Sequence, residues 1–114
     1  MVIQGGGRPH GNTAQLVESF AYGAEGAGNS VEVISLNKHE VKGCLGCNAC
    51  RYGKPCVQKD RFNEIVPKSK GADCIVFASP LYFWTISSKL KAFIERFYCI
   101  AEEDPNPPLG RYEK

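Results

Sequence analysis

The sequence lacks any apolar run long enough to cross a bilayer, which takes about 18 residues, and it lacks an excess of charge of one sign. Fourteen Lys and Arg side chains are balanced by twelve Asp and Glu side chains, for a formal net charge of +2. This balance argues against a surface built for nucleic acid or for an acidic membrane. The Gly-rich start MVIQGGGRPHGNT also lacks the apolar stretch of a signal peptide. We therefore expect no nucleic-acid partner, no membrane partner and a cytoplasmic location.

The composition is that of one small folded domain. The chain has 114 residues, and Val, Ile, Leu and Phe make up about a quarter of it, which is above the range in which chains tend to stay disordered. A length of this order usually corresponds to a single domain.

Six cysteines are present, and four of them lie in one segment. In a reducing compartment they are not expected to form disulfides. The segment 44–56 has the spacing C-x2-C-x2-C-x5-C, formed by Cys44, Cys47, Cys50 and Cys56. Thiolates packed so closely repel one another, and a soft metal centre would stabilise them. Structural zinc sites usually pair two Cys motifs across a longer gap, so the spacing favours a cubane iron–sulfur cluster. A zinc site and a metal-free loop remain alternatives.

The other two cysteines, Cys74 and Cys99, lie in apolar runs. We predict that both are small buried hydrophobic residues without a chemical role.

Outside the cysteine segment, the hydrophobic pattern alternates between strands and helices. A first strand at residues 2–4 precedes a helix with Leu16, Val17, Phe20, Ala21 and Ala24 on its buried stripe. Asn12 or Thr13 is the expected N-cap of this helix, and Gly26 and Gly28 are its stop signal.

The same alternation continues to the end of the folded part. A second strand is expected at 31–36, and a short helix capped by Asp60 carries Phe62, Ile65 and Val66 and is bent or ended by Pro67. The run 74–78 predicts a strand that is buried on both faces. The last helix has one apolar stripe formed by Leu90, Phe93, Ile94 and Phe97. The proline-rich residues 101–114 predict a loop or tail.

Three strand–helix units in succession predict parallel strands joined by right-handed crossovers. Ligands of such sheets bind beyond the carboxyl ends of the strands, where the winding reverses. In the flavodoxin-like strand order this reversal lies between the first and third strands. The loops after those two strands are therefore the candidate ligand loops.

The first candidate loop, residues 5–13, has the features of a phosphate site. Glycines let the backbone approach an anion, and the N–H groups at the start of the following helix favour negative charge. Arg8 can donate a forked pair of hydrogen bonds, and Asn12 and Thr13 can donate from their side chains. The loop matches neither a Walker loop nor a G-x-G-x-x-G motif, which disfavours ATP and dinucleotides. An ordinary Gly-rich turn capped by Asn12 is the alternative, and His10 is expected to be a solvated loop residue.

The second candidate loop, residues 79–84, has the features of a site for a flat ring. Pro80 ends the third strand because it cannot extend a central ladder. Three successive aromatic residues follow at 82–84, and at least one of them should line the crevice. Packing under the last helix or at a subunit contact is the alternative, and we favour it for Trp84.

Four segments of this chain resemble flavodoxin-like NAD(P)H-dependent FMN reductases, and more narrowly the iron–sulfur flavoproteins. They are VIQGGGRPHGNT, VEVISL, CLGCNAC-x5-C and ASPLYFWTISSKLKAFIERFY. The resemblance implies an α/β fold, a flavodoxin-like three-layer sandwich around a parallel sheet, with strands 1–3 of the usual five in this chain. Residues 1–100 would form this partial FMN-binding domain, with the four-cysteine loop at 44–56.

The resemblance also implies a cofactor and its ligands. It places the FMN phosphate on Arg8, Gly11, Asn12 and Thr13, and the isoalloxazine against Pro80, Leu81, Tyr82 and Phe83. It further implies a [4Fe–4S] cluster on the four cysteines of the loop, and assembly into a homo-oligomer. NAD(P)H or a small carrier would reduce the flavin, and small-molecule acceptors or the cluster would take the electrons. No side chain is expected to act as acid or base, so no catalytic residue is assigned.

The chain departs from the family pattern in ways that bear on these expectations. Gly6 stands where the family usually has Ser, so one phosphate donor is missing, and Glu95 replaces the usual Asp. The family's further strands and the loop after the fourth strand are absent, so the third strand would form an apolar edge. Two other kinds of protein therefore stay open: a zinc-stapled or metal-free binding module, and a fragment without activity.

Overall fold

The computed structural model describes residues 1–51 and 54–101. A parallel sheet of three short strands forms its centre, in the order β2-β1-β3. The strands are β1 (Val2–Gln4), β2 (Val33–Ser35) and β3 (Val76–Ala78). Ile3 pairs in register with Ile34 on one side and with Phe77 on the other. The middle position of β1 confirms the predicted flavodoxin-like order.

Four helices follow the pattern of the sequence with shifts at their ends. They are α1 (Asn12–Gly26), α2 (Phe62–Lys70), α3 (Ser88–Glu95) and α4 (Tyr98–Ala101). The last helix of the sequence interpretation is thus two helices. Pro67 lies inside α2 without ending it. Of the predicted tail 101–114, only Ala101 lies within the described part of the chain, where it ends α4.

The core lies on one side of the sheet, between β1 and helices α2 and α3. Ile3, Phe62, Leu90 and Phe93 are almost completely buried there, and the rings of Phe62 and Phe93 meet edge to face with centroids 5.3 Å apart. Successive strand residues face opposite sides, and the buried residues Val2, Ala14 and Val17 lie outside this cluster. Helix α1 therefore covers the opposite face, which gives the predicted three layers.

The close approach of α3 to the sheet depends on Gly5. A Cβ atom at this position would lie 2.6 Å from Ser87 Oγ and 2.7 Å from Leu90 Cβ. Neither contact is possible without displacing the start of α3. The absence of a side chain at Gly5 therefore allows the start of α3 to lie directly against the end of β1.

Several burial predictions are wrong, and the narrow sheet explains them. Leu16 and Phe20 are exposed because three strands of three residues give α1 little surface to cover. Phe77 is 43% exposed, and Cys74 is also exposed, because β3 lies at the edge of the three-stranded sheet. Burial of this strand on both faces is therefore wrong, whereas the apolar edge expected from the missing strands is confirmed. Cys99 is buried, as predicted.

The helix starts also differ from the capping predictions. Gly11 occupies the cap position of α1 and makes no side-chain capping bond, so neither Asn12 nor Thr13 is the cap. Asp60 Oδ1 does accept a hydrogen bond from the N–H of Phe62 at 3.1 Å, although Arg61 holds the cap position of α2.

Candidate functional site

The two candidate ligand loops open into one cavity of about 200 Å³ at the carboxyl end of the sheet. One wall comes from the loop after β1 and the first turn of α1, and the other from the loop after β3. Its lining residues are Gly6, Gly7, Arg8, Gly11, Asn12, Thr13, Pro80 and Tyr82. The structure thus gathers six of the eight residues that the sequence interpretation assigned to FMN.

The first wall is shaped by a tight turn at residues 8–11. The N–H of Gly11 donates to the carbonyl oxygen of Arg8 at 3.3 Å, and Pro9 follows Arg8 as type I turns favour. A Cβ atom on Gly11 would lie 3.0 Å from Arg8 Cβ, so the turn leaves little room for a larger residue. Helix α1 has no side-chain cap, so no side chain of the cap position bonds its first N–H groups. Gly11, Asn12 and Thr13 at this helix start line the cavity.

Glycines at 6 and 7 leave the cavity open. A Cβ atom on Gly6 would lie 3.4 Å from Thr13 Cβ and 3.7 Å from Pro80 Cδ, and one on Gly7 would lie 3.7 Å from the Tyr82 hydroxyl. All three neighbours line the cavity. A Cβ atom at position 6 or 7 would therefore make only ordinary contacts, whereas a large side chain at either position would extend into the cavity. Both glycines belong to the predicted phosphate loop, although neither is among the predicted FMN ligands.

The second wall is a two-residue hairpin turn. Tyr82 and Thr85 exchange both backbone hydrogen bonds, at 2.9 and 3.0 Å. Phe83 and Trp84 between them have φ angles of +44° and +64°, the geometry of a type I′ turn, which usually takes Asn and Gly. Bulky residues rarely adopt this conformation.

The turn directs its two aromatic side chains away from the cavity. Phe83 is 97% exposed and Trp84 is 87% exposed. Leu81 is exposed and does not line the cavity either. Leu81 and Phe83 therefore depart from the expected ring site, and Trp84 does not pack under the last helix.

Ser79 and Ser87 hold this loop against α3. The N–H of Ser87 donates to Ser79 Oγ at 2.8 Å, and Ser79 Oγ donates to the carbonyl of Pro80 at 2.8 Å. Ser87 Oγ in turn accepts the N–H of Leu90 and caps α3. The start of α3 therefore positions the second wall.

The four cysteines of the 44–56 loop are not gathered around a common point. Cys44 and Cys47 are exposed, whereas Cys50 and Cys56 are half-buried against the core. Nowhere in residues 1–51 and 54–101 do three His, Cys, Asp or Glu side chains lie close enough to hold a metal ion. The donor types suit a cluster, but the described conformation of this loop does not bring the four sulfurs together.

A buried ion pair ties the base of the cysteine loop to the end of α3. Arg96 Nη1 lies 2.7 Å from Asp60 Oδ2 and Nη2 lies 3.1 Å from Oδ1. Burial raises the pKa of Asp60, but hydrogen bonds from Arg96 and from the N–H groups of Lys42 and Phe62 outweigh it and hold the pKa below its usual range. Burial lowers the pKa of Arg96, and its bonds to Asp60, with a smaller effect of Cys56, raise it overall.

None of the described helices is both long and apolar enough to span a membrane.

The chain is similar to known flavoproteins along most of its length. The family described as NADPH-dependent FMN reductase matches residues 1–111. An iron-sulfur flavoprotein of Methanocaldococcus jannaschii is 39% identical over 94 residues, which is 82% of this chain and 49% of that protein. An iron-sulfur flavoprotein of Archaeoglobus fulgidus is 38% identical over 85 residues, 75% of this chain and 42% of that protein.

A third relative comes from Bacillus subtilis and is named as an NAD(P)H-dependent FMN-containing oxidoreductase. It is 31% identical over 96 residues, 84% of this chain and 50% of that protein. No solved structure shows significant similarity to this chain. The chain spans about half the length of the curated relatives it matches. The matched family and these relatives, together with the parallel sheet and its paired loops, show that the chain belongs to the NADPH-dependent FMN reductases, in the iron–sulfur flavoprotein branch.

Proposed function

We propose that this chain binds FMN in the cavity between its two loops and takes part in flavin-dependent oxidoreduction with NAD(P)H as electron source. The observation that carries the proposal is the shared cavity, which brings Arg8, Asn12 and Thr13 opposite Pro80 and Tyr82. The family match and the name of the Bacillus subtilis relative support the same cofactor and donor.

The first wall suits the phosphate end of FMN. Arg8 would contribute positive charge and paired N–H donors, and Asn12 and Thr13 would add side-chain donors. The uncapped first turn of α1 adds backbone N–H groups and the positive end of the helix dipole. Gly6 and Gly7 keep this space free of side chains.

The second wall suits the ring end. Pro80 and Tyr82 present flat or apolar surfaces to the cavity, against which a planar heterocycle can pack. A cavity of about 200 Å³ is smaller than the roughly 300 Å³ at the low end of small-molecule sites. This chain would therefore enclose the phosphate end and leave part of the ring open to a donor or acceptor.

Bound FMN would supply the hydride-accepting and electron-transferring chemistry, and the protein would supply binding and orientation. Small-molecule donors and acceptors would reach the open side of the ring. The proposal assigns no side chain the role of acid or base.

We also propose a cytoplasmic homo-oligomer. Six free thiols suit a reducing compartment. Phe77, Phe83 and Trp84 expose apolar surface that contact between copies would cover.

We propose, as a separate point, that residues 44–56 hold a [4Fe–4S] cluster, with zinc as the rival metal. Four cysteines supply the donor type and number, and two relatives are named iron-sulfur flavoproteins. Because the loop geometry does not gather these sulfurs, the loop would have to close around the metal. No electron path through this loop is part of the proposal.

Titration of the full chain with FMN, followed by quenching of flavin fluorescence, tests the main proposal. We expect saturable binding, and Arg8→Met should weaken FMN binding by about tenfold or more, because charge-assisted hydrogen bonds contribute about 1.5–3 kcal/mol. The binding of riboflavin, which has no phosphate, should change little in the same variant. Arg61→Met is the matched control, since Arg61 pairs with Glu64 on the surface of α2. Failure of the unchanged chain to bind FMN would end the proposal.

Analysis of iron, sulfide and zinc in protein prepared without air tests the cluster. We expect iron and sulfide in about equal amounts, and their loss in Cys47→Ser. Cys74→Ser is the control, because Cys74 is also exposed but lies outside the loop. Zinc alone would favour the rival, and absence of any metal would contradict both.

A further inference from the structure

A hydrogen-bonded chain of three residues fixes the orientation of the Gly6 carbonyl. In the register of β1 and β2, Gln4 pairs with Ser35, and two residues further on Gly6 comes beside Asn37. The side-chain amide of Asn37 donates to the Gly6 carbonyl oxygen. Lys89 Nζ, from the first turn of α3, donates to Asn37 Oδ1 at 2.8 Å.

Lys89 determines which way the Asn37 amide faces. A lysine ammonium only donates hydrogen bonds, so it must face the amide oxygen of Asn37. The NH₂ group of Asn37 is then left to face Gly6. Without Lys89, the amide could turn over and present an oxygen to the Gly6 carbonyl, which would repel it.

The orientation of the Gly6 carbonyl decides where the next N–H points. The peptide bonds of the described residues are trans, and in a trans peptide the carbonyl and the following N–H point in opposite directions. With the Gly6 carbonyl held toward Asn37, the N–H of Gly7 points away from Asn37. This N–H makes no hydrogen bond with any described part of the chain, and both glycines line the cavity.

We propose that Asn37 and Lys89 are positioning residues that aim the Gly7 N–H at the phosphate of the ligand and so favour FMN over riboflavin. The inference rests on the proposed function and identifies a specificity device for the same site. Neither residue lines the cavity, so both act through the Gly6–Gly7 peptide rather than by touching the flavin.

The test compares the dissociation constants of FMN and riboflavin for the full chain and four variants. Asn37→Ala and Lys89→Met remove the orienting contact, and each should weaken FMN binding by about five- to tenfold, as expected for one hydrogen bond. Riboflavin binding should change less than twofold. A general loss of structure would weaken both ligands alike, so the ratio separates positioning from folding.

Two further variants separate orientation from charge. Lys89→Gln keeps a donor for Asn37 Oδ1 without the charge and should restore most of the preference lost in Lys89→Met. Lys91→Met removes the same charge from the same helix, but Lys91 pairs with Glu95 at 2.6 Å and should leave the preference unchanged.

The outcomes distinguish this inference from the proposed function. If the unchanged chain prefers FMN but Asn37→Ala and Lys89→Met keep that preference, the positioning inference is wrong and the flavin site stands. The inference is also wrong if Lys91→Met loses as much of the preference for FMN as Lys89→Met, or if Lys89→Gln recovers none of it. Either result would show that only the positive charge matters. If the unchanged chain binds no FMN, the proposed function fails first.

Discussion

Asp60 and Arg96 form a paired-hydrogen-bond ion pair in the interior, with 9% and 1% of their side chains exposed. Arg96 Nη1 also donates to the carbonyl of Lys42 at 3.0 Å, and Asp60 accepts the N–H of Lys42. The guanidinium lies over the Phe62 ring, 4.3 Å from its centroid. Both ends of the 42–60 segment are thereby fastened to the end of α3.

Removing the arginine should therefore destabilise the fold. Arg96→Met leaves Asp60 charged and buried, so we expect a loss of about 3 kcal/mol in the free energy of unfolding. Urea unfolding measures it. Lys91→Met, which breaks the exposed pair with Glu95, should change the free energy of unfolding far less, because solvent screens an exposed pair. A similar loss in the two variants would contradict a special role for burial.

Acid should remove the contribution of the Asp60–Arg96 pair to the free energy of unfolding. The pKa of Asp60 is held below its usual value of 3.8, so the pair contributes fully above that value. Its contribution is lost as the pH falls through the lower pKa of the folded state. We expect the unfolding free energy to drop below about pH 4, and the drop to be smaller in Asp60→Asn.

Glu95 provides the control for this pH dependence, because its hydrogen bond to Lys91 and the charge of Lys91 also lower its pKa. Since Glu95 is exposed, Glu95→Gln should leave most of the acid dependence in place. Equal slopes in the unchanged chain and Asp60→Asn between pH 5 and pH 2 would refute the assignment to Asp60.

Gly5 should tolerate no side chain. Its Cβ would collide with Ser87 Oγ and Leu90 Cβ, and overpacking of this kind costs about 1–3 kcal/mol. Gly23→Ala is the matched change, since a Cβ on Gly23 meets nothing within 4 Å and Gly23 lies inside α1. It should raise stability by about 0.5–1 kcal/mol. Thermal unfolding of Gly5→Ala and Gly23→Ala measures both effects. An unchanged stability in Gly5→Ala would disprove the close approach of α3 to β1.

Gly6→Ser should strengthen FMN binding. Its Cβ would make ordinary contacts with Thr13 and Pro80, and its hydroxyl would supply the phosphate donor that Gly6 lacks. We expect about tenfold tighter FMN binding, with riboflavin little changed. Gly6→Ala adds the Cβ without the hydroxyl, so an equal gain in that variant would show that the donor is not responsible.

The element order and the paired loops could be predicted from the sequence because they depend on local signals. The apolar runs around Ile3 and Phe93 and the breaker Pro80 are visible in the chain itself. The exposure of Leu16 could not be predicted from the helical spacing, because its burial depends on how wide the sheet is. The burial of Arg96 likewise depends on tertiary structure, because its partner Asp60 lies 36 residues away in the sequence.

The contact of Asn37 with Gly6 shows the same limit. Nothing in the local sequence around Asn37 or Gly6 predicts their hydrogen bond. The two residues meet only because of the register in which β1 and β2 pair. The same holds for the hairpin at Tyr82, where the backbone of Phe83 and Trp84 adopts angles that their side chains disfavour.

The exposure of Trp84 makes the hairpin turn directly observable by spectroscopy. Trp84 is the one tryptophan in the sequence, and it faces water in the folded chain. In a single, unassembled copy of the chain, its fluorescence should already peak near the long wavelengths of hydrated indole, and unfolding should shift that peak very little. A shift to shorter wavelength would instead mark the moment when another molecule covers the turn, so one emission spectrum can report docking without any added label.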